Sequence, residues 1–368
     1  MRQGQQSLTS WAQEIERQSA AKRDFQIAAS RASMSLIQTE HGALPVLDVA
    51  VPTVQPMPLR KLAHDQLAAE LEIPRSYYQR MQDEQPELLV HNVNAWLAKS
   101  TDRRLVRTLD SNVRAILSDR YRTLDNEDVV QFIAPVLQSI GGDLKVLSCD
   151  VTETRLYLKV GHAKLRGEVK VGDEVEMGLI VTNSEVGSGA LAIKPFLNRL
   201  VCLNGMVVDA FGTRRAHIGR RFDFDGDLTA GFEVDYSDDT RATNDTAIML
   251  KVRDTVQQLL TPAGFQRILD SLKTAATSAQ LVDPAASVEV VRKRLSLSQG
   301  EGNSVLRQLA LGGDLTAWGM ANAVTRIAED ADNYDRATEL ERAGHKVIEM
   351  ALVDGGREWQ AVAVAQAA

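Results

Sequence analysis

Arginine is concentrated in two segments of a chain that is acidic overall. The 368 residues carry a formal net charge of −7, yet segment 99–122 holds seven basic residues against three acids. Segment 199–221 holds five basic residues against one acid. The planar guanidinium of arginine donates paired hydrogen bonds to phosphate oxygens and stacks on bases. The two segments therefore predict a surface that binds the backbone of a nucleic acid.

The residues expected to contact the strand come from both segments. Gly212 and Gly219 bracket an arginine-rich stretch and let its backbone approach a ligand closely. Strand-like alternation limits how many residues of the other segment share a face, and a solvated sheet face balanced by the acids of 223–245 is the alternative interpretation. The predicted nucleic-acid-binding residues are Arg214, Arg215, Arg220 and Arg221 first, then Arg103, Arg104, Arg107, Arg120 and Arg122, with Lys194, Arg199 and His217 on the same surface.

No sequence pattern identifies a catalytic reaction. Gly187-Ser188-Gly189 lacks the Gly-Lys-Ser/Thr of a phosphate loop and the spacing of a G-x-S-x-G nucleophile. The run that begins at Asp223 resembles a calcium loop, but Leu228 stands where that loop requires glycine. The two cysteines have no C-x-x-C spacing, and the histidines have no paired metal spacing. We therefore predict no catalytic residues, no metal site and no cofactor.

Composition predicts a globular protein of the cytoplasm. Hydrophobic residues make up 44% of the chain and charged residues 25%, which is enough for a sizeable core. The sequence has no apolar run of about 18 residues and no signal-peptide pattern, so no membrane span is expected.

The elements that would position the basic residues form an α+β pattern. Alternating segments flank a predicted hairpin turn at Asp110-Ser111-Asn112, and a helix is expected from Asp125 to about Ser139. Four further strands and a turn at Asn204-Gly205 follow. Because the strands cluster, we expect one antiparallel sheet with a helix inserted after its first hairpin, between a small N-terminal helical block and an all-helical C-terminal region.

Changes in composition divide the chain into five predicted parts. Trp318, Asn322 and Thr325 recur at helical spacing in the C-terminal part, where a packing face is favoured over a groove for a partner helix. The parts are an N-terminal arm and connector (1–58), an α+β core domain (59–222), an acidic linker (223–245), a helical region (246–355) and a tail (356–368).

Three blocks of sequence carry a family resemblance. They are LSDRYRTLDNEDVV at 117–130, TNSEVGSGALAIKPFLNRLVCLNGMVV at 182–208, and the stretch from LTAWGMANAV to KVIE at 315–349. In this order the chain resembles the plasmid- and phage-borne family called "domain of unknown function 932", over roughly residues 44–350. The order hairpin, helix, sheet is also similar to the annealing fold of the Rad fifty-two class of recombination proteins.

The resemblance implies a role on mobile DNA, in recombination, maintenance or evasion of host defence. Together with the basic segments it favours an oligomeric, non-enzymatic protein, a ring or a filament, that binds single-stranded DNA and anneals complementary strands. Two other classes stay open. One is a module that binds a host protein through the C-terminal helices, and the other is a metal-dependent nuclease that uses acids of 223–245.

Overall fold

The computed structural model describes residues 7–40, 42–121, 123–141, 143–202, 204–209 and 238–353. Within these residues the strands are β1 (Arg23–Ala28), β2 (Ser33–Thr39), β3 (Gly42–Asp48), β4 (Met57–Pro58), β5 (Arg103–Leu109), β6 (Asn112–Ser118), β7 (Leu144–Val151), β8 (Leu156–Lys170), β9 (Asp173–Asn183), β10 (Ala192–Arg199) and β11 (Asn204–Val207). The helices are α1 (Leu8–Ala21), α2 (Lys61–Glu70), α3 (Arg75–Glu84), α4 (Pro86–Leu97), α5 (Asn126–Ile140), α6 (Asp238–Leu259), α7 (Pro262–Ala276), α8 (Pro284–Arg294), α9 (Gln299–Gly312), α10 (Ala317–Arg326) and α11 (Tyr334–Val353).

Two small antiparallel sheets form the N-terminal half. Strand β5 lies between β1 and β6, and the β5–β6 turn uses Asp110 and Ser111, whose positive φ angles of 52° and 58° suit a tight hairpin. The second sheet has the order β2-β3-β4. Leu47 of this sheet shares one buried core with Leu67 of α2 and Leu89 of α4. The helical block is thus fixed to the sheets by apolar burial.

A five-stranded antiparallel sheet, with the order β11-β10-β9-β8-β7, forms the centre of the molecule. Side chains alternate between its two faces. In β8, Leu158 belongs to the main hydrophobic core, while Tyr157 and Lys159 make hydrogen bonds to α11. Helix α1 packs on the edge strand β7, where Trp11 Nε1 donates to the carbonyl oxygen of Asp150.

The C-terminal helices begin at residues that cap them well. The side chains of Thr261, Asp283, Ser298 and Thr316 accept backbone N–H bonds at the starts of α7, α8, α9 and α10. Trp318 of α10 donates to Asp173 over 2.8 Å, which fixes this helix to the sheet. Trp318, Asn322 and Thr325 are all buried, so the prediction of a packing face is confirmed. No helix in the described ranges is long and apolar enough to span a membrane.

The predicted α+β class with antiparallel strands and a helical C-terminal region is confirmed. Three details need correction. The strands form separate sheets, because β5 and β6 pair with β1 of the predicted N-terminal arm and not with the five-stranded sheet. Helix α6 begins at Asp238, inside the predicted acidic linker. Asn204 and Gly205 open strand β11, and the turn precedes them. The predicted tail and the linker residues 223–237 lie outside the described residues.

Candidate functional site

A polar cleft of about 160 Å³ lies where the N-terminal half meets the five-stranded sheet. Helix α1, the β5–β6 turn, the β7–β8 turn and the loop after β9 surround it. Its charged lining residues are Arg17, Arg60, Arg114 and Arg155, facing Glu14, Asp110, Glu153 and Glu185. We call this set of eight residues and the space between them the arginine cleft.

Glu185 organises the floor of the cleft. Its Oε2 accepts a 2.6 Å hydrogen bond from Arg114 Nη1, and its Oε1 accepts a 2.6 Å bond from the backbone N–H of Asn126. That N–H belongs to the first residue of α5, so Glu185 caps a helix that starts 59 residues earlier in the chain. Gly187 follows with a φ of 78°, a left-handed conformation that glycine adopts without strain.

A second arginine, Arg107, lies beside this floor and is fully buried. Its guanidinium donates to Asp24 at 3.0 Å, to Asp125 at 2.7 Å and to the carbonyl oxygen of Glu185 at 2.8 Å. Burial alone would raise the pKa of Asp125, but Arg107 and Lys22 together hold it below its ordinary value. Arg107 is therefore a structural cation with its hydrogen-bonding capacity in use.

Arg114 differs because its hydrogen-bonding capacity is incompletely used. Its residue is only 4% exposed, and Nη1 is bonded to Glu185. Nε and Nη2 are buried without a hydrogen-bond partner among the described residues. An unpaired buried donor costs about 1–3 kcal/mol, and more when it is charged. Arg114, which lines the cleft, thus carries two buried donor nitrogens without an acceptor among the described residues.

The carboxylates of the cleft are better satisfied than its arginines. Both oxygens of Asp110 accept from Arg17, and both oxygens of Glu14 do so as well. These hydrogen bonds hold the pKa of Asp110 and of Glu14 below the usual range, so both side chains are ionised at neutral pH. Arg60 Nη1 lies 3.8 Å from Glu153, beyond hydrogen-bond distance. The unmet requirement of the cleft is for an anion.

Comparison with known families assigns most of the chain to one family. The family model described as Domain of unknown function (DUF932) matches residues 114–347, well over half of the chain. The chain belongs to the DUF932 family. No curated protein and no solved structure matches it. The likeness to the annealing fold of the Rad fifty-two class stays a prediction.

The DUF932 range begins at Arg114 and includes Arg155 and Glu185. It therefore contains two arginines of the cleft and the carboxylate that bonds to Arg114. Glu14, Arg17, Arg60 and Asp110 precede it. The DUF932 domain therefore supplies the floor of the arginine cleft, and the N-terminal residues supply its rim.

The structure places six of the predicted strand-contacting residues, and it separates them. Arg103, Arg104 and Arg107 lie on β5, whereas Lys194 and Arg199 lie on β10 of the other sheet. Arg103 and Arg120 are exposed. The remaining six predicted residues lie outside the described residues; they are Arg122, Arg214, Arg215, His217, Arg220 and Arg221.

Four of the placed residues are engaged by carboxylates of the protein itself. Arg107 is fully buried, which corrects the prediction for this residue, because a strand has no access to it. Arg104 pairs with Glu70 and Asp102. Arg199 donates to both oxygens of Asp173, and Lys194 lies 2.5 Å from Asp209. The expected single trough is not formed by these four side chains, since each already neutralises an acid.

Sequence reasoning missed the arginine cleft. Arg114 counts toward the basic segment 99–122 but is absent from the predicted site, and Arg17, Arg60 and Arg155 belong to neither basic segment. One signal was available in Glu185, which lies inside the Asn-Ser-Glu-Val-Gly block of the family resemblance. A charged residue within such a block, next to a buried strand, indicates a partner of opposite charge in the core.

Proposed function

We propose that this DUF932 protein binds single-stranded DNA through phosphate groups and promotes the pairing of complementary strands without cleaving them. The observation that carries the proposal is that Arg114, which lines the arginine cleft, has two donor nitrogens without a partner among the described residues. Phosphate oxygens are the acceptors that arginine pairs with best, through two parallel N–H···O bonds. Contacts that are made to phosphate alone leave the bases of the strand free to search for a complement.

The direction of strand β11, which precedes the arginine-rich stretch in the chain, supports the same proposal. The β7–β8 turn lines the cleft, and the register of the sheet places Leu156, Asn183 and Ala192 at the same end. Strand β11 runs toward this end, since Asp209 reaches Lys194. Asp209 therefore lies at the end of the sheet that carries the cleft, on the edge opposite β7, and the sequence that follows it contains Arg214, Arg215, Arg220 and Arg221.

We further propose that the protein forms a homo-oligomer and acts on plasmid or phage DNA. Single phosphate contacts are weak and sensitive to salt, so a homo-oligomer, ring or filament, would let many of them act together on one strand. We place the protein in the cytoplasm, in recombination or maintenance of plasmid or phage DNA. The rival class, a module that binds a host protein through the C-terminal helices, requires no contact with DNA.

Titration of a labelled single strand tests the proposal. Fluorescence anisotropy in the presence of a metal chelator is measured over a series of salt concentrations, and pairing of two complementary oligonucleotides is followed by energy transfer. We expect the logarithm of the binding constant to fall linearly with the logarithm of salt concentration, and pairing to accelerate. Replacing Arg214, Arg215, Arg220 and Arg221 by Gln should reduce the salt slope by about one per contact removed.

Arg80→Gln is the matched control, because Arg80 is exposed on α3 and forms an ion pair with Glu84 of the same helix. Its slope should equal that of the wild type. Absence of any strand binding refutes the proposal and favours the interaction module. Strands that shorten when magnesium is added indicate a nuclease instead.

A further inference from the structure

The arginine cleft is small for a ligand-binding site. Its volume of about 160 Å³ lies well below the roughly 300–1,000 Å³ typical of pockets that enclose a small molecule. Arg114 lies at the floor with 4% of its surface exposed, so a ligand must reach inward to meet it. The cleft therefore admits one compact anionic group.

The chemistry of the floor favours a phosphate over a carboxylate or a halide. The fork of Nε and Nη2 on Arg114 has two parallel donors, which match two oxygens of a phosphate or of a carboxylate but not a halide. Of these anions only a phosphate has a third oxygen for another cation. Arg60 at the rim has a guanidinium whose nearest carboxylate, Glu153, is 3.8 Å away and 68% exposed. Arg60 can therefore pair with a third phosphate oxygen without giving up an ion pair to a buried acid.

An internal phosphate of a strand meets these requirements poorly. It carries one negative charge, and both of its ester oxygens continue into sugars that would have to enter the cleft as well. A terminal phosphate monoester carries up to two charges at neutral pH and is attached on one side only. We propose that the arginine cleft binds the terminal phosphate of a single DNA strand, with Arg114 at the floor and Arg60 at the rim. This inference rests on the proposed function and specifies which part of the strand the cleft takes.

Oligonucleotides matched in charge provide the test. Anisotropy competition compares a strand with a terminal phosphate, at the 5′ or the 3′ end, with a hydroxyl-ended strand that is longer and carries the same total charge. We expect at least one phosphorylated strand to bind about tenfold or more tightly, since it gains two charge-assisted hydrogen bonds. Arg114→Lys keeps a cation for Glu185 but removes the fork, and it should abolish this preference.

Arg80→Lys is the matched control, because Arg80 is exposed on α3, pairs with Glu84 of the same helix and does not line the cleft. It should keep the preference. If circular dichroism shows that Arg114→Lys does not fold, Arg60→Gln at the rim takes its place, with a reduced preference expected.

The outcomes separate this inference from the proposed function. Equal affinity for phosphorylated and hydroxyl-ended strands overturns the inference and leaves strand binding in place. A free 5′-mononucleotide that competes as well as the phosphorylated strand also overturns it, because the ligand is then a nucleotide. Failure of every strand to bind overturns both. A preference that is lost in Arg114→Lys and kept in Arg80→Lys supports the inference.

Discussion

Two buried arginines on neighbouring strands show how hydrogen bonding decides what a charged residue does. Each of the three guanidinium nitrogens of Arg107 has an acceptor within 3.0 Å, and the residue is fully buried. Arg114 has one acceptor and two free donors at a cleft. Both belong to the same basic segment of the sequence, and only the partners that folding supplies distinguish them. A charge count therefore identifies a segment and cannot identify the residue that binds.

The pair formed by Lys159 and Glu341 gives a stability prediction at the same scale. Both side chains are fully buried, 2.6 Å apart, and burial lowers the pKa of Lys159. Lys159→Met leaves the Glu341 carboxylate buried without its cation, so we expect a loss of about 3–5 kcal/mol in the free energy of unfolding. Lys159→Met combined with Glu341→Met should recover most of that loss, because no uncompensated charge remains.

Urea unfolding of the two single variants and the double variant measures this coupling as a double-mutant cycle. Arg80→Met is the control, since the Arg80–Glu84 pair is 71% and 60% exposed and should contribute less than about 1 kcal/mol. A loss in Lys159→Met as small as that of the control would contradict the prediction.

At the scale of elements, one carboxylate joins two C-terminal helices. Glu301 accepts from the backbone N–H of Ser298 at the start of α9 and from both Nε and Nη2 of Arg336 on α11. Hydrogen bonds from Arg336 contribute most to lowering the pKa of Glu301, to about 2 from an ordinary value of 4.5. Because the folded-state pKa is depressed, the stabilisation is complete above pH 4.5 and is lost as pH falls toward 2.

Glu301→Gln should therefore reduce stability by about 1–2 kcal/mol at neutral pH, with a difference from the wild type that shrinks below pH 4.5. Urea midpoints at pH 7, 5 and 3.5 measure that difference. Glu339→Gln removes the exposed second carboxylate of Arg336 and should change the midpoint little at any of these values. A difference between Glu301→Gln and the wild type that does not vary with pH would exclude the ionised carboxylate as its cause.

The sequence predicted elements well where the signals were local. The turn at Asp110-Ser111 and the start of α5 next to Asp125 were both recognised, because turn and cap residues act within a few positions. The cap of α5 was not recognised, since Glu185 supplies it from a distant loop and the carboxylate of Asp125 pairs with Arg107 and Lys22 instead. Local sequence signals therefore predicted where α5 begins, while its capping residue and the ion pairs of Asp125 depend on tertiary contacts.

Prediction fails furthest at the scale of the whole molecule. The arginine cleft joins Arg17 to Asp110 across 93 positions and Arg114 to Glu185 across 71. Strand β1 pairs with β5 although about 75 residues separate them in the chain. Neither pairing has a periodicity or a spacing that one sequence reveals. The antiparallel strands could be assigned from alternation, while their division into sheets, and the cleft between those sheets, arises only on folding.

The size of the assembly provides the prediction for the whole molecule. Because each phosphate contact is weak, annealing requires several subunits on one strand, and the mass in solution should exceed the 40.4 kDa of one chain. Multi-angle light scattering measures that mass with the protein alone, with a single strand and with a duplex of equal length. For the protein alone we expect a mass that is a multiple of 40.4 kDa. The single strand should increase this mass or narrow its distribution, and the duplex should leave the mass unchanged. A mass of one chain under all three conditions would count against annealing, while the test of the terminal phosphate in the arginine cleft would still stand, because a single subunit suffices for that contact.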